Sequence, residues 1–287
     1  IAGGVESMSR APKVMAKSNT AYDRSIEVHD STIGWRFVNP RMRERFGTDE
    51  MPGTAENVAR DFGVAREDQD AFAARSQQRA TASLENGFWE NEITPVTTVD
   101  DEGNEVIVTK DDGIRAGTTA EGLSGLKPVF RPDGKVTAGN ACPLNDGAAA
   151  VMVMSAEKAA ALGLKPLARI ASFATSGLDP ATMGMGPVPA SKKALERAGW
   201  SVADVDVFEL NEAFAAQACA VNKALGIDPA KVNPNGGAIA IGHPIGASGC
   251  RILVTLLHEM QRSDAKKGLA ALCIGGGMGV SLTVERS

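Results

Sequence analysis

Apolar and amphipathic stretches alternate over the second half of the chain. Mostly apolar runs predict strands at 147–155, 167–175, 205–210, 269–275 and 280–285. The first of these is a continuous apolar run and is predicted to be buried. Stretches with helical spacing lie between them, at 156–163, 191–199, 212–226 and 248–261. This alternation predicts an α/β domain with a layered sheet. The link "GGMG" between the last two strands is too short for a crossover, so these strands are predicted to form an antiparallel hairpin.

The first half of the chain is more polar and less regular. Residues 10–53 are predicted to be a loop with one short helix. Helices follow at 54–63, with Thr54 as the cap, and at 66–87. The segments "ITPVTTV" and "NEVIVTKDD" are typical of short strands. Because large apolar residues are few here, this stretch is predicted to be an excursion from a larger domain.

Composition limits the classes of function. With 43% hydrophobic residues among 287, the chain has enough apolar material for a core, and its net charge of −5 argues against a nucleic-acid partner. No apolar run is long enough to cross a bilayer. The four cysteines fit no zinc spacing, so we predict reduced thiols, no metal site and a cytoplasmic protein.

The opening segment "IAGGVESMSR" begins as if at the end of a strand. It has no initiator methionine, no basic segment and no apolar signal core. We therefore expect residues 1–287 to be a fragment or a processed form of a longer polypeptide.

Three stretches place reactive side chains at turns. Asn211 follows the strand at 205–210, where it either caps the next helix or fixes a water or carbonyl near a substrate. His243 lies between glycines before a helix whose N-terminal end disfavours a protonated imidazole, so it is either a neutral base or a buried structural histidine. Cys273 ends a strand before "IGGGMG", which is either an oxyanion site or a plain hairpin. A thiol, an imidazole, an amide and unpaired backbone N–H groups are the groups that active sites use for acyl transfer.

The same motifs resemble those of thiolases, a family of CoA-dependent acyltransferases. "NEAF", "NGGAIAIGHPIGASG" and "CIGGGMG" match, in order, the three C-terminal catalytic motifs of that family, and "GGVESMS", "PGTAENVA", "TAGN" and "LNDGAAA" extend the match. The resemblance implies a thiolase-like α/β fold, layered α-β-α-β-α, with two similar βαβαβαββ halves and an inserted loop domain. Residues 1–9 and 136–160 would belong to the first half, 10–135 to the CoA-binding loop domain, and 161–287 to the second half.

The resemblance also implies roles for individual residues. His243 would deprotonate a nucleophilic cysteine and, with a water bound by Asn211, hold the thioester oxygen. Cys273 would be the acid and base that acts on the acetyl methyl group, and the Gly275 N–H would belong to an oxyanion hole. The nucleophilic cysteine of the family matches none of the four cysteines here. The chain alone is therefore expected to be unable to form an acyl-enzyme.

Coenzyme A or acetyl-CoA would bind as a substrate across the loop domain, with no permanent cofactor. The contacts implied by the resemblance are Met51, Arg115, Ala138, Cys142, Leu144, Met183, Ala213 and Phe214. The family often has a serine where this chain has Cys142, and a thiol is the weaker hydrogen-bond partner. Thiolases that resemble this chain form homodimers or homotetramers.

The acyl substrate has two candidates. "TIGWRFVNP" resembles 3-oxoadipyl-CoA thiolases, whose substrate ends in a carboxylate, and Arg36, Arg41 or Arg43 would bind it unless these arginines lie on a solvated surface or at a subunit contact. The glycine-rich motifs resemble acetoacetyl-CoA thiolases equally well. The reaction would be thiolytic cleavage of a 3-oxoacyl-CoA, or its reversal by Claisen condensation.

Two other functions are compatible with the same residues. One is a non-catalytic CoA or lipid binder on the same scaffold. The other is a hydrolase that pairs Cys273 with His243.

Overall fold

Strands and helices alternate through the second half of the computed structural model, which describes residues 1–287. The helices are α1 (Pro40–Phe46), α2 (Met51–Asp61), α3 (Arg66–Glu85), α4 (Ala120–Ser124), α5 (Ala156–Ala161), α6 (Pro187–Ala198), α7 (Ala215–Leu225), α8 (Ala238–Ile241) and α9 (Ile245–Arg262). The strands are β1 (Ala2–Ser7), β2 (Lys13–Met15), β3 (Val28–Asp30), β4 (Val96–Val99), β5 (Glu105–Val108), β6 (Asp146–Val151), β7 (Arg169–Gly177), β8 (Val207–Leu210), β9 (Lys267–Ile274) and β10 (Met278–Glu285). None of the helices is both long and apolar enough to span a membrane.

The main sheet has four strands in the order β7-β10-β9-β8. The predicted hairpin of β9 and β10 is confirmed, and β8 runs parallel to β9. Phe208 faces the helices α6 and α7, whereas its neighbour Val207 faces α9. Both faces of β8 are therefore buried, which explains why three of its four residues are apolar; the fourth, Glu209, is buried as well.

Helix α9 lies between two sheets. It packs against β8 and β9 on one side and against β1 and β6, an antiparallel pair, on the other. The apolar residues Ile252, Leu256 and Met260 point at the main sheet and are almost fully buried. Outer helices, main sheet, α9 and the β1–β6 pair thus form four successive layers of the five that the family resemblance implies.

The strand predicted at 147–155 is present, but its predicted burial and its predicted end are wrong. Strand β6 ends at Val151, and its residues alternate between exposed and half-buried. The exposed fractions of Met152 and Val153, which follow it, are 68% and 53%. The physical reason is that α9 covers one face of the β1–β6 pair and no element covers the other.

Helices α2 and α3 of the first half pack against α7. The prediction for α3 is confirmed, but α2 begins at Met51, so Thr54 is not its cap. Pro52 lies in the first turn, where proline fits a helix without losing a hydrogen bond, and this allows the earlier start. The Thr54 hydroxyl donates to the Met51 carbonyl instead, at 2.7 Å.

A buried polar group joins the segment after α3 to helix α9. Glu92 accepts a hydrogen bond from Thr255 at 3.0 Å through Oε1, and its Oε2 has no partner. Both oxygens of Glu209 also lack hydrogen bonds, and Nη1 of Arg251 lies 3.6 Å from one of them. Burial raises the pKa of Glu92 to about 7, although the charge of Arg251 opposes this shift.

We expect the free energy of unfolding to fall as pH rises from about 5 to about 8, because folded Glu92 keeps its proton over a range in which the unfolded residue has lost it. A pKa raised from 4.5 to about 7 corresponds to about 3 kcal/mol at most. Urea unfolding at several pH values measures this. Glu92→Gln should flatten the dependence, and the exposed neighbour Glu90→Gln is the control. An unaltered pH dependence in Glu92→Gln would contradict this account.

Candidate active site

Three predicted residues lie at the carboxyl ends of β8 and β9. Leu210 pairs with Ala271 in the parallel register, and the N–H of Asn211 donates to the Ala271 carbonyl at 3.0 Å. Cys273 lies two residues further along β9, on the same face as Ala271. The His243 ring reaches this edge, with Nε2 at 3.2 Å from Nδ2 of Asn211. Asn211 does not cap a helix, because α7 begins after Phe214.

The His243 imidazole is held at both nitrogens. Its Nδ1 lies 2.6 Å from the Ser248 hydroxyl, on the first turn of α9. Burial lowers the pKa of His243 to about 4, and the positive charge of Arg251 adds to the shift. The ring is therefore neutral at pH 7 and able to act as a base. The sequence predicts this neutral state, but burial is the main cause and not the helix end.

Residues of the first half hold the backbone around His243. The Asn145 side chain accepts from the His243 N–H at 3.1 Å, and the Glu6 carboxylate accepts from the Gly246 N–H at 2.9 Å. Gly4 lies so close that a Cβ atom there would be 1.8 Å from the Gly246 carbonyl oxygen. Sequence analysis missed the roles of Asn145 and Glu6. The only sequence feature that marks each of them is its position as a polar residue beside a run of small residues.

The Cys273 thiol is buried, with an exposed fraction of 9%. It packs with Met183 and Ala213, and Met51 and Phe214 contact the same cluster. Burial raises its pKa to about 11. Cys273 therefore stays a thiol at neutral pH and has a proton to donate.

The turn after Cys273 presents bare backbone. The Gly275 N–H donates no hydrogen bond within the chain. Gly276 and Gly277 adopt φ values of 83° and 86°, which side chains disfavour. The Leu178 N–H donates to the Gly277 carbonyl at 2.7 Å and fixes the turn. A free N–H on a fixed turn is suited to bind an oxyanion.

The predicted CoA contacts divide into two groups. Five lie around Cys273 or against its cluster: Met51, Cys142, Met183, Ala213 and Phe214. The N–H of Cys142 donates to the Ala213 carbonyl at 3.1 Å, and burial raises the pKa of this thiol to about 12. The other three, Arg115, Ala138 and Leu144, are exposed on loops.

The arrangement disfavours a self-contained cysteine–histidine pair. Neither nitrogen of His243 bonds to Cys273, since its partners are Asn211 and Ser248. A thiolate–imidazolium pair needs a lowered cysteine pKa and a raised histidine pKa, and both shifts here have the opposite sign. No group of three or more acidic, cysteine or histidine side chains is arranged to hold a metal.

The predicted carboxylate-binding arginines differ in exposure. Arg41 and Arg43 are exposed on α1, whereas Arg36 is half-buried and donates to the Gly34 carbonyl at 2.7 Å. A Cβ atom on Gly34 would lie 3.8 Å from the Glu50 carboxylate, and Glu50 precedes Met51. Met51 in turn reaches Gly275, since its Cε would be 3.6 Å from a Cβ atom there. Glu50 and Met51 thus lie between the Arg36 loop and the glycine turn and connect the two.

Comparisons with known proteins agree with the geometry. Residues 1–157 match the model of the thiolase N-terminal domain, and residues 164–286 match that of the thiolase C-terminal domain. A beta-ketoadipyl-CoA thiolase of Pseudomonas putida is 54% identical, and an acetyl-CoA acetyltransferase of Pseudomonas aeruginosa is 56% identical. Each alignment covers 100% of this chain and 72% of the relative.

Solved structures show the same fold. Human mitochondrial 3-ketoacyl-CoA thiolase superposes with a TM-score of 0.91 at 40% identity, over 99% of this chain and 71% of that one. The acetyl-CoA acetyltransferase of Bacillus anthracis superposes with a TM-score of 0.89 at 44% identity, over 98% and 70%. The predicted thiolase-like layered fold is confirmed. Since both domain models match and relatives more than half identical align with the chain from end to end, it belongs to the thiolase family.

Proposed function

We propose that this chain, together with a nucleophilic thiol outside residues 1–287, catalyses the CoA-dependent thiolytic cleavage of 3-oxoadipyl-CoA, and the reverse condensation. The observation that carries the proposal is the meeting of a neutral imidazole, a protonated thiol and an unpaired N–H at one sheet edge. Family membership supports acyl transfer between CoA thioesters, with coenzyme A as substrate and no permanent cofactor. Relatives named beta-ketoadipyl-CoA thiolase, at 52–54% identity, support the acyl chain.

His243 is the base in this proposal. Its Nε2 takes the proton from the attacking thiol of the enzyme. After Cys273 has given its own proton to the enolate, His243 reprotonates the Cys273 thiolate, then takes the proton of coenzyme A and returns it to the departing enzyme thiolate. Asn211 holds a water that contacts the thioester oxygen. Support comes from its side-chain Oδ1, which is buried and has no hydrogen-bond partner in the chain. A buried acceptor without a partner is costly unless a donor such as water occupies the place.

Cys273 completes the proton transfers. When the C2–C3 bond of the 3-oxoacyl group breaks, the acetyl-CoA enolate takes a proton from Cys273. In the condensation, the thiolate of Cys273 removes a methyl proton. The Gly275 N–H stabilises the oxyanion that forms on the reacting carbonyl.

A further cysteine carries the acyl group in this proposal. Burial raises the pKa of Cys142 and Cys219 to about 12 and that of Cys273 to about 11, and it also raises the pKa of Cys250. None of these four thiols is therefore activated as a nucleophile. We infer that the acylated thiol lies outside residues 1–287. Coenzyme A would approach it along Met51, Met183 and Phe214, in a homodimer or homotetramer.

Arg36 is the proposed partner of the distal carboxylate. It is the least exposed of the three candidates and keeps donors free beyond the bond to Gly34. Its loop adjoins Glu50 and Met51. An acyl chain that enters past Met51 would therefore end near the Arg36 guanidinium.

Arg36→Met should lower kcat/KM for 3-oxoadipyl-CoA about 10- to 100-fold, the loss expected for a hydrogen bond to a charged group. The rate with acetoacetyl-CoA, which has no distal carboxylate, should stay within about twofold. Steady-state thiolysis of both substrates measures this. Arg41→Met removes an exposed arginine from α1 and is the matched control. Equal losses on both substrates would contradict the role of Arg36.

Acetoacetyl-CoA is the second candidate substrate, favoured by relatives named acetyl-CoA acetyltransferase at 55–56% identity. If the unaltered enzyme cleaves acetoacetyl-CoA with the higher kcat/KM, acetoacetyl-CoA replaces 3-oxoadipyl-CoA as the proposed substrate. A non-catalytic CoA binder has no support, since the site retains a base, an acid and an unpaired N–H.

A further inference from the structure

Ser248 lies behind the proposed catalytic base. It occupies the first turn of α9, five residues after His243, and its exposed fraction is 1%. Its hydroxyl oxygen lies 2.6 Å from Nδ1 of His243 and 2.9 Å from the Pro244 carbonyl oxygen. The hydroxyl is thus shared between the imidazole and the backbone of the same turn.

The contacts of the Ser248 hydroxyl favour one direction for these bonds. The hydroxyl donates its single proton to the Pro244 carbonyl, which also accepts from the backbone N–H groups of Ala247 and Ser248. The Ser248 oxygen then accepts, and the proton between it and the imidazole belongs to Nδ1. A neutral imidazole has one N–H, so Nε2 carries the lone pair. This agrees with the other side of the ring, where the Nδ2 of Asn211 is a donor at 3.2 Å.

We propose that Ser248 is a positioning residue that keeps the His243 proton on Nδ1 and thereby leaves the ring's lone pair on Nε2, the nitrogen that acts as the base. This inference rests on the role of His243 under the proposed function. With the proton on Nε2, the ring would present a donor to the attacking thiol and would be unable to accept its proton. Ser248 touches no substrate in this scheme and acts only through His243.

Ser248→Ala should lower kcat about 100-fold, because general-base catalysis contributes about 10²- to 10⁴-fold and part of it is lost with the tautomer. KM should stay within about twofold, since substrate contacts are unaltered. Ser248→Thr restores the hydroxyl and should restore most of kcat. Ser191→Ala removes a fully buried hydroxyl from α6, outside the site, and should keep the activity of the unaltered enzyme.

Nitrogen-15 NMR of histidine-labelled enzyme reads the tautomer independently of turnover. The unaltered enzyme should show His243 protonated at Nδ1, and Ser248→Ala should move the proton towards Nε2. Protonation at Nε2 in the unaltered enzyme would overturn the proposal, as would an unchanged tautomer in Ser248→Ala. A shifted tautomer with unchanged kcat would uphold Ser248 and contradict His243 as the base, so the two failures are distinguishable.

Discussion

Replacement of His243 by alanine is expected to lower kcat/KM for thiolysis about 10³- to 10⁴-fold, the largest effect of any single substitution in this chain. The loss has two parts. The imidazole is the base for the attacking thiols, and it also helps to hold the thioester oxygen by a hydrogen bond. General-base catalysis alone contributes about 10²- to 10⁴-fold. A pKa near 4 keeps the unaltered ring neutral over the whole working range of pH.

Steady-state thiolysis with saturating coenzyme A measures the effect, and calorimetric binding of CoA shows whether the site is still formed. His258→Ala is the matched control, since His258 lies half-buried on α9 and outside the site. A rate for His243→Ala within about threefold of the unaltered enzyme would contradict the assignment.

The substitution Cys273→Ser is expected to have the second large effect. It should lower the rate of methyl-proton exchange in acetyl-CoA about 10²- to 10⁴-fold. A hydroxyl is a far weaker acid than a thiol, so the enolate receives its proton slowly and the methyl group loses one slowly. Incorporation of deuterium from solvent into the methyl group of acetyl-CoA measures the step itself. Cys250→Ser, on the same helix as Ser248, changes a thiol that faces away from the cluster and is the control.

Peptide mapping of the unaltered enzyme separates the proton shuttle from the nucleophile. Peptide mapping after exposure to acetyl-CoA should find no acetyl group on Cys273, because the acyl-accepting thiol is a different residue. Undiminished exchange in Cys273→Ser, or an acetyl group on Cys273 in the unaltered enzyme, would contradict its role as the acid and base.

The sequence predicts the main elements of the fold because their apolar periodicity is strong. Helix α3, the hairpin of β9 and β10 and the glycine ends of α6 and α7 all follow local rules. The error at β6 has a tertiary origin. An alanine-rich run looks buried, but its exposure depends on how many faces other elements cover, and the run itself does not encode this.

The candidate site is predicted in part. Asn211, His243 and Cys273 stand out because each joins a reactive side chain to a turn at the end of a strand or before a helix. Ser248, Asn145 and Glu6 do not stand out, since serine, asparagine and glutamate are common at turns. Their partners lie across the fold, at separations that no local pattern connects. The roles assigned from family motifs remain predictions until the variants are measured.

The central claim is that this chain provides the proton-transfer residues of a thiolase and is not a non-catalytic CoA-binding protein. The most direct test is to incubate the full-length polypeptide, which includes the acylated thiol outside residues 1–287, with 3-oxoadipyl-CoA and coenzyme A and to quantify both thioester products. The account predicts equal amounts of acetyl-CoA and succinyl-CoA, formed only when coenzyme A is present. Tight binding of the substrate without cleavage, or hydrolysis that is independent of coenzyme A, would contradict it.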